Sequence, residues 1–483
     1  MDAARLEHHL ISPQGQRRLP EGAFTATAGG FACCDEITLA LTVDRDRVSD
    51  AGFEARGCGT ATAAGSAAVT LVRGRSLLSA ARVGPREIAA ELGGLSPGKL
   101  HAAELAGDAL ARALGSAARA RAALVPSEVR TLVAMSGGVD SAVAALLCRG
   151  EGETVAVTLE LWSDPENDGE RSCCSQAAVA QARRLAHSLG LAHFTIDLRA
   201  EFRSGVVEPF IAGYAAGETP NPCVGCNGHV RLDAMLALAA RLGCQSLATG
   251  HYARIAPAAA GDSGPLLRLA VDTAKDQTYM LAALDQSSLA RMRFPLGELR
   301  KPEVRALAAA AELPVAGKAD SQDLCFLAGT DRARFLARHG GLSDQPGEVV
   351  DRRGTVLARH RGAHHFTVGQ RRGLGVSARE PLYVLEKDAA RGRVVVGPRE
   401  ALATRTVTLR GVRLHRAAAH VELAKLRYRS RPLRARVTEA LGPGRHGKAR
   451  LELEDPAFGS APGQLACLLE GDLVVGWGTI TRP

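Results

Sequence analysis

Nowhere in this chain does an apolar run approach the ~20 residues that a membrane-spanning helix needs. The first ten residues, Met1–Leu10, carry charges where a secretory leader would be apolar. These two absences lead to the expectation of a cytoplasmic protein with no membrane partner. No internal repeat is present either, which excludes a repeat array. Acids are scarce in one stretch: between Arg391 and Arg450 there are three, against 16 Lys/Arg. The whole chain carries a formal net charge of only +9, so the rest is weakly acidic and the basicity belongs to that segment. A polyanion bound through its phosphates is the partner such a segment fits.

Cysteine is plentiful. In a reducing compartment 11 cysteines stay mostly reduced, so clustered ones point to metal, cluster or catalytic roles before structural disulfides. At 483 residues and 46% hydrophobic composition, the chain has room for about three or four domains, each with its own core.

Ser136-Gly137-Gly138-Val139-Asp140-Ser141 follows apolar Thr131–Met135 and precedes an Ala/Leu-rich stretch. A strand, a glycine turn and a helix N-terminus in that order make a phosphate cradle, because glycines admit the anion and unpaired N–H groups hold it. No Lys follows the second Gly, so this is not the P-loop pattern. A plain glycine turn with Ser136 capping the helix is the alternative at this level. SGGxDS resembles the pyrophosphate loop of enzymes that split ATP between its α and β phosphates. That resemblance implies Mg²⁺ on Asp140 and phosphate oxygens on the Ser136 and Ser141 hydroxyls.

Along the chain, residues 1–123 read as a small α+β unit. Ile37, Leu39, Leu41 and Val43 alternate as on a half-buried strand, Cys58–Arg73 and Pro97–Leu114 have helical texture, and Ser116–Ala123 with Pro126 reads as a linker. Residues 127–330 alternate strand-like segments (Thr131–Met135, Thr154–Leu161, His193–Leu198, Gln245–Thr249) with helix-like ones (Ser141–Arg149, Gln176–Leu189, Val230–Leu242). That predicts an α/β domain with a parallel sheet and ligands at the carboxyl ends of its strands, where the glycine loop, Leu159 and Gly250-His251 fall. Residues 331–395 suggest a small β-rich module and 396–483 a C-terminal β-barrel, with β-like runs from Val394–Val396 onward.

Thr219-Pro220-Asn221-Pro222-Cys223-Val224-Gly225-Cys226-Asn227 places a C-x-x-C in a proline-stiffened loop, and Cys325 follows in Ser321-Gln322-Asp323-Leu324-Cys325-Phe326. C-x-x-C alone serves zinc, redox and iron–sulfur sites alike. Taken in order with SGGVDS, Ala248–Tyr252, Lys275-Asp276-Gln277 and Phe366–Gly375, these motifs closely resemble the tRNA-specific 2-thiouridylases (MnmA/TrmU family) from about Thr131 to near the C-terminus. The resemblance implies that a tRNA wobble uridine is adenylated and that sulfur then displaces AMP. It implies ATP binding by Ala134, Met135, Ser136, Gly137, Gly138, Val139, Asp140, Ser141, Leu159 and Gly250. It implies tRNA contacts at Asn221, Pro222, Cys223, Lys275, Asp276, Gln277, Arg427 and Tyr428, with no DNA partner. It also makes Cys226 the nucleophile and Cys325 the persulfide carrier, fed by a cysteine desulfurase or another sulfur donor, the two able to close a transient disulfide.

Many relatives carry Asp where Cys223 stands. Cys223, Cys226 and Cys325 could instead ligate a 4Fe–4S cluster whose open iron holds hydrosulfide, and both sulfur routes stay open. Cys173-Cys174 could relay sulfur or cap a helix, whereas Cys148, Cys244 and Cys467 sit in apolar surroundings and read as core.

At the N-terminus, Ala32-Cys33-Cys34-Asp35, Gly57-Cys58-Gly59 and Lys99-Leu100-His101 recur in the order of the NifU/IscU-type iron–sulfur scaffolds. That resemblance makes Cys33, Asp35, Cys58 and His101 ligands for Zn²⁺ or an iron–sulfur cluster. The cysteine that follows the histidine in that family is Ala102 here. A donor tethered to its client, a zinc-holding docking module and a relic domain are the three readings. For the whole chain, the competing functions are another pyrophosphate-loop ligase, of amidating or argininosuccinate-forming type, and an iron–sulfur scaffold that only binds tRNA.

Overall fold

A computed structural model describes residues 2–29, 34–164, 175–320, 324–327, 330–389 and 391–481. The chain divides into two units: Met1–Arg199 with Asp233–His251 and Arg291–Phe326, and Ala200–Leu232 with Tyr252–Ala290 and Leu327–Pro483. Two excursions from the segment expected to form one ATPase domain therefore belong with the second unit.

The first unit begins with helix α1 (Ala3–Ile11) and an antiparallel sheet of β1 (Phe24–Gly29), β2 (Glu36–Asp44) and β3 (Arg47–Arg56). Ile37, Leu39 and Leu41 are buried as their alternation requires, while Val43 is half-buried. Helix α2 (Gly59–Val72) crosses the sheet at Gly65, where a Cβ would stand 2.3 Å from the Phe53 ring. Helix α3 (Leu100–Arg121) runs straight through most of the expected Ser116–Ala123 linker. Two causes act there: Ala and Arg are strong helix formers, and Ala113, Leu114, Ala117 and Ala118 are all buried. Only residues 122–126 connect onward, and they too are pinned, with Leu124 N–H on Arg241 O at 2.9 Å.

The parallel sheet follows: β4 (Ser127–Ala134), β5 (Glu153–Glu160), β6 (Ala192–Asp197), β7 (Cys244–Ala248) and a short strand Met292–Arg293. From one edge the order is Met292–Arg293, β7, β4, β5, β6, all parallel. Helices α4 (Val139–Glu151), α5 (Gln176–Ser188) and α6 (Leu232–Arg241) are the connections. Chain progression reverses between β4 and β7, and the carboxyl ends of strands at such a switch point are where open α/β sheets take their ligands.

Helix α3 serves both sheets. At Gly115 a Cβ would lie 1.9 Å from Thr195 O of β6, so only glycine permits this approach. Arg112 of α3 bridges Asp108 at 2.6 Å and Glu160, at the end of β5, at 2.7 Å, and Asp108 also pairs with Arg183, which is 2% exposed. His193 N–H donates to Ala81 O at 2.8 Å.

The second unit holds a four-stranded sheet, in the order Val356–His360, Gly347–Val350, Arg393–Gly397, Tyr383–Asp388. Val394–Val396 belongs to this sheet and not to the barrel expected from it, because Val394 and Val396 close the small core with Val349, Val384 and Phe366. The barrel has six strands: Ala403–Leu414, Gly444–Phe458, Leu433–Val437, Leu423–Lys425, Leu465–Glu470 and Leu473–Ile480, the last pairing back onto the first. A hairpin from mid-chain, Arg254–Ala256 with Leu266–Arg268, extends it through Leu473. Leu409, Val412, Ala449, Leu451, Leu468 and Val475 fill its core.

Candidate functional site

In the first unit the glycine loop leaves β4 at Ala134, and Met135 extends the ladder with its N–H on Val157 O at 2.8 Å. Gly137 has φ +71°, a conformation that favours glycine, and a Cβ there would meet Ala178 O at 3.0 Å. Gly138, not Ser136, is the N-cap of α4, which begins at Val139. The plain capping alternative for Ser136 therefore lapses. Ser141 folds the loop: its hydroxyl donates to Gly138 O at 3.0 Å and accepts from Ser136 N–H at 3.1 Å, and Ser136 Oγ lies 3.3 Å away. Gly250, just past β7, lets that strand end meet the loop, since a Cβ there would stand 2.7 Å from Ser141 N. Leu159 is buried at the carboxyl end of β5.

Around the loop the structure adds side chains that the sequence did not single out. Lys301 is buried at the start of a helix (Lys301–Ala310), and its Nζ reaches both Asp140 oxygens, at 2.7 and 2.8 Å, and Asp320 at 2.9 Å. Arg305 holds the same Asp320 oxygen at 3.0 Å. Lys318 Nζ donates to Gly137 O at 3.1 Å and to Gln181 Oε1 at 2.8 Å. A lysine in a helix's first turn opposes the helix dipole, and that misfit is the signal in the sequence that could have flagged Lys301.

The cysteine loop is in the second unit. Asn221 caps a one-turn helix (Pro222–Gly225) by accepting from Cys223 N–H at 3.1 Å. A wide π-type turn (Cys226–Arg231) then leads into α6. Cys226 is buried and Cys223 half-buried. Asn221 Nδ2 contacts Met280 Sδ at 3.6 Å and Asn227 Nδ2 donates to Met280 O at 3.3 Å, tying the loop to the helix Thr278–Leu281. Thr219 is gripped at both backbone atoms, N–H to Pro462 O at 2.8 Å and O from Gln464 Nε2 at 2.6 Å.

The Lys275–Gln277 segment comes to the same place. Asp276 is buried and accepts from Ala270 N–H at 2.9 Å and the Thr278 hydroxyl at 2.7 Å, with Lys425 3.6 Å away. Gln277 Oε1 accepts from Tyr252 N–H at 3.0 Å, and Lys275 is half-buried. Tyr428 stacks obliquely on Tyr279 at 6.2 Å. Burial pushes its phenol pKa up; Arg429 opposes this, the Asp276 and Cys223 charges add to it, and Lys275 opposes it again. Cys223, Lys275 and Asp276 are thus within electrostatic reach of the Tyr428 phenol. Arg427 is exposed.

Cys325 stands half-buried on a single 3₁₀ turn (Cys325–Leu327), borne by the first unit. Neither it nor Cys223 or Cys226 is in a disulfide. Cys33, Cys173, Cys174 and residues 321–323 lie outside the described residues. Burial pushes the Cys148 thiol up to about 11 and those of Cys244 and Cys467 up to about 12, as suits core packing.

A third constellation lies at the end of the N-terminal sheet, with Asp35 just before β2, Cys58 just after β3 and His101 in the first turn of α3. Asp35 Oδ2 is 3.1 Å from Cys58 Sγ and 2.9 Å from His101 Nε2, and the three ligand atoms lie within 4.8 Å of one another. Burial alone would raise the Asp35 pKa, but hydrogen bonds from the Cys58 thiol and N–H and from His101 hold it below the usual carboxylate value. Gly57, at φ +117°, allows this closeness, since a Cβ there would fall 2.0 Å from Asp35 Oδ1. His101 Nδ1 meets Gly98 O at 3.0 Å, the outer contact that orients a ligating imidazole. A sulfur, an oxygen and a nitrogen donor so arranged fit a zinc-sized ion. Ala102 is fully buried, so the residue after the histidine faces the core.

Comparison with known proteins matches the family described as tRNA methyl transferase HUP domain over residues 129–329, and a NifU-like N terminal domain over 6–122. It also matches a tRNA methyl transferase PRC-barrel domain over 333–398 and an aminomethyltransferase beta-barrel domain over 405–480. The bifunctional protein NifU/MnmA of Rubrobacter xylanophilus is 43% identical over 99% of this chain and 98% of its own length. The chain belongs to the MnmA family, fused to a NifU-like domain. The tRNA-specific 2-thiouridylase MnmA of Acidithiobacillus ferrooxidans is 43% identical over 73% of this chain and 99% of its own. Among solved structures, a NifU-like protein (N-terminal) from Brucella abortus is 22% identical over 22% of this chain and 75% of its own, with a TM-score of 0.15. In MnmA terms, the proposed nucleotide residues lie in the first unit and the proposed tRNA residues in the second. Among the described residues no helix is long and apolar enough to cross a membrane.

Proposed function

We propose that this chain is an ATP-dependent tRNA-uridine 2-sulfurtransferase. The observation that carries the reading is the end-to-end similarity to a NifU/MnmA protein. The glycine loop at the sheet's switch point supports it. In the first step the C2 oxygen of the wobble uridine attacks the α-phosphorus of ATP, and pyrophosphate leaves. The loop N–H groups, the α4 N-terminus and Gly250 would hold the phosphates, with Leu159 against the adenine. Asp140 is the loop's acid and would hold Mg²⁺, which supplies charge neutralisation on the triphosphate.

In the second step sulfur adds to C2 and AMP leaves with the former uridine oxygen. On the persulfide route, Cys325 carries the transferable sulfur. The Cys226 thiolate attacks Cys325 Sγ, a disulfide forms, and hydrosulfide is released to attack C2. The two cysteines supply both electrons, and an external thiol must then reduce the disulfide. Cys223 and Cys226 in one loop are also the soft donor chemistry an iron–sulfur cluster takes, and with Cys325 they would hold it. Bound there, it would supply a Lewis-acidic iron for sulfur. Asn221–Cys223, Lys275–Gln277 and Arg427-Tyr428 would meet tRNA, Lys275 and Arg427 directly and buried Asp276 by fixing its loop. At the N-terminus, Asp35, Cys58 and His101, with Cys33, would hold zinc or an iron–sulfur cluster. A tRNA substrate and a mechanism that needs reduced thiols would suit a cytoplasmic location.

The test is incubation of the whole protein with ATP, a sulfur donor and unmodified tRNA, measuring pyrophosphate and 2-thiouridine. Both are expected to form in equal amounts. Adenylation of an amino acid in place of tRNA would overturn the reading. Iron, acid-labile sulfide and zinc content after anaerobic purification separates the two sulfur routes.

A further inference from the structure

Among the described residues at the glycine loop, Lys318 differs from Lys301 and Arg305 in what holds it. The carboxylates of Asp140 and Asp320 are matched by Lys301 and Arg305, which contact them at 2.7–3.0 Å. Lys318 stands apart from this set. Its ammonium rests on two neutral oxygens, Gly137 O and Gln181 Oε1, and among the described residues no carboxylate lies within ion-pair distance of it. Gly137 is the left-handed glycine at the mouth of the cradle, and Gln181 lies on α5, which packs beside it. Lys318 is exposed, and its hydrogen bond to the Gly137 carbonyl sets a positive charge beside a helix N-terminus already biased toward anions.

We propose that Lys318 is a catalytic residue of the adenylation step. It would contact the β- and γ-phosphates and neutralise the charge that builds up on pyrophosphate as the bond to the α-phosphorus breaks. Lys318 transfers no proton: the uridine N3 proton is lost to solvent as C2–O–P forms and C2=N3 replaces C2=O, and the electron pair of the broken P–O bond leaves on pyrophosphate. Lys318 lies seven residues before Cys325, so the strand of chain that carries the sulfur residue also carries a pyrophosphate ligand. This rests on reading the glycine loop as the ATP site.

The probe is inorganic pyrophosphate, titrated calorimetrically into the full chain with Mg²⁺ and no tRNA, for wild type, Lys318→Met and Lys318→Arg. Single-turnover release of pyrophosphate from ATP with tRNA is followed alongside. Lys318→Met is expected to weaken pyrophosphate binding at least tenfold. It should slow release about 100-fold, the scale of losing one preorganised charge donor, with an unchanged melting temperature. Lys318→Arg should recover most of the affinity. Equal pyrophosphate affinity in wild type and Lys318→Met would overturn the role of Lys318 alone. A wild type that binds no pyrophosphate would overturn the ATP-site reading with it.

Discussion

At the scale of single residues, three of the cysteines are plain core packing. Cys148, Cys244 and Cys467 have thiol pKa values of about 11 or 12 and are poor nucleophiles near neutrality. Cys223 and Cys325 are half-buried, and Cys226 is buried at the start of a π-type turn. Replacing Cys226 or Cys325 with Ala is expected to reduce 2-thiouridine formation at least 100-fold while pyrophosphate binding stays within twofold of wild type. Replacing Cys148 should leave thiolation unchanged and cost only stability. Nucleoside mass spectrometry and pyrophosphate calorimetry read the two effects separately. At the N-terminal triad, Asp35→Ala removes a proposed ligand and the acceptor that meets both Cys58 and His101. Zinc affinity, measured by competition with a chromophoric chelator, should fall by 10-fold or more.

At the scale of elements, the cysteine loop depends on a turn more than 240 residues downstream. The Thr219 grip by Pro462 and Gln464 fixes the backbone two residues before Asn221, and Gly463 lies so close that a Cβ would stand 3.0 Å from Glu218 Cβ. Gln464→Ala should lower kcat for thiolation about 10-fold and change the alkylation rate of Cys223, with little change in KM for ATP. An unchanged alkylation rate would show that the turn does not position the loop. The barrel also has a pH signature. His415, buried beside Arg413, has its pKa lowered by burial to about 4, below the 6.5 of an exposed imidazole. Its contribution to stability is therefore complete above pH 6.5 and is lost as pH falls toward 4. Asp262, held by Arg416, has its pKa lowered to about 2 from 3.8, and its contribution is lost only below about 3.8. Denaturant midpoints followed by Trp477 fluorescence in a Trp162→Phe background should fall in these two successive legs. His415→Gln should abolish the first.

For the whole molecule, the NifU-like domain is docked and not merely tethered. Asp108, Arg112, Glu160 and Arg183 form an ion-pair network with little exposure, and α3 lies against β6 at Gly115. Asp108→Ala would strand the buried Arg183 charge and is expected to cost about 3 kcal/mol, measured by chemical denaturation. A delivery role for this domain would act from a fixed position. Helix α3 carries His101 in its first turn and Arg112 on Glu160 three turns later, which removes the freedom a flexible tether would need. A fragment of residues 127–483 should thiolate more slowly than the whole chain at limiting sulfur donor, and equal rates would make the domain dispensable for delivery.

The sequence by itself determined whatever is local. A glycine turn between an apolar strand and an Ala/Leu helix can form little else, strand and helix periods fall where burial later places them, and ordered motifs carry the family. Its two misreadings have plain causes. Ser116–Ala123 looked like a linker because Ala/Arg texture suits both a surface tether and a helix, and the burial of Ala117 and Ala118 decided for the helix. Val394–Val396 looked like the first barrel strand because a β run does not reveal its partner, and pairing with Gly347–Val350 and Tyr383–Asp388 decided otherwise. What only the tertiary structure decided is which distant charges meet. Lys301 and Lys318 come to the glycine loop from more than 160 residues away, and Gln464 comes to Thr219 across the second unit. Side-chain partners at that separation are set by how elements pack, and packing is a property of surfaces that no window along the chain contains.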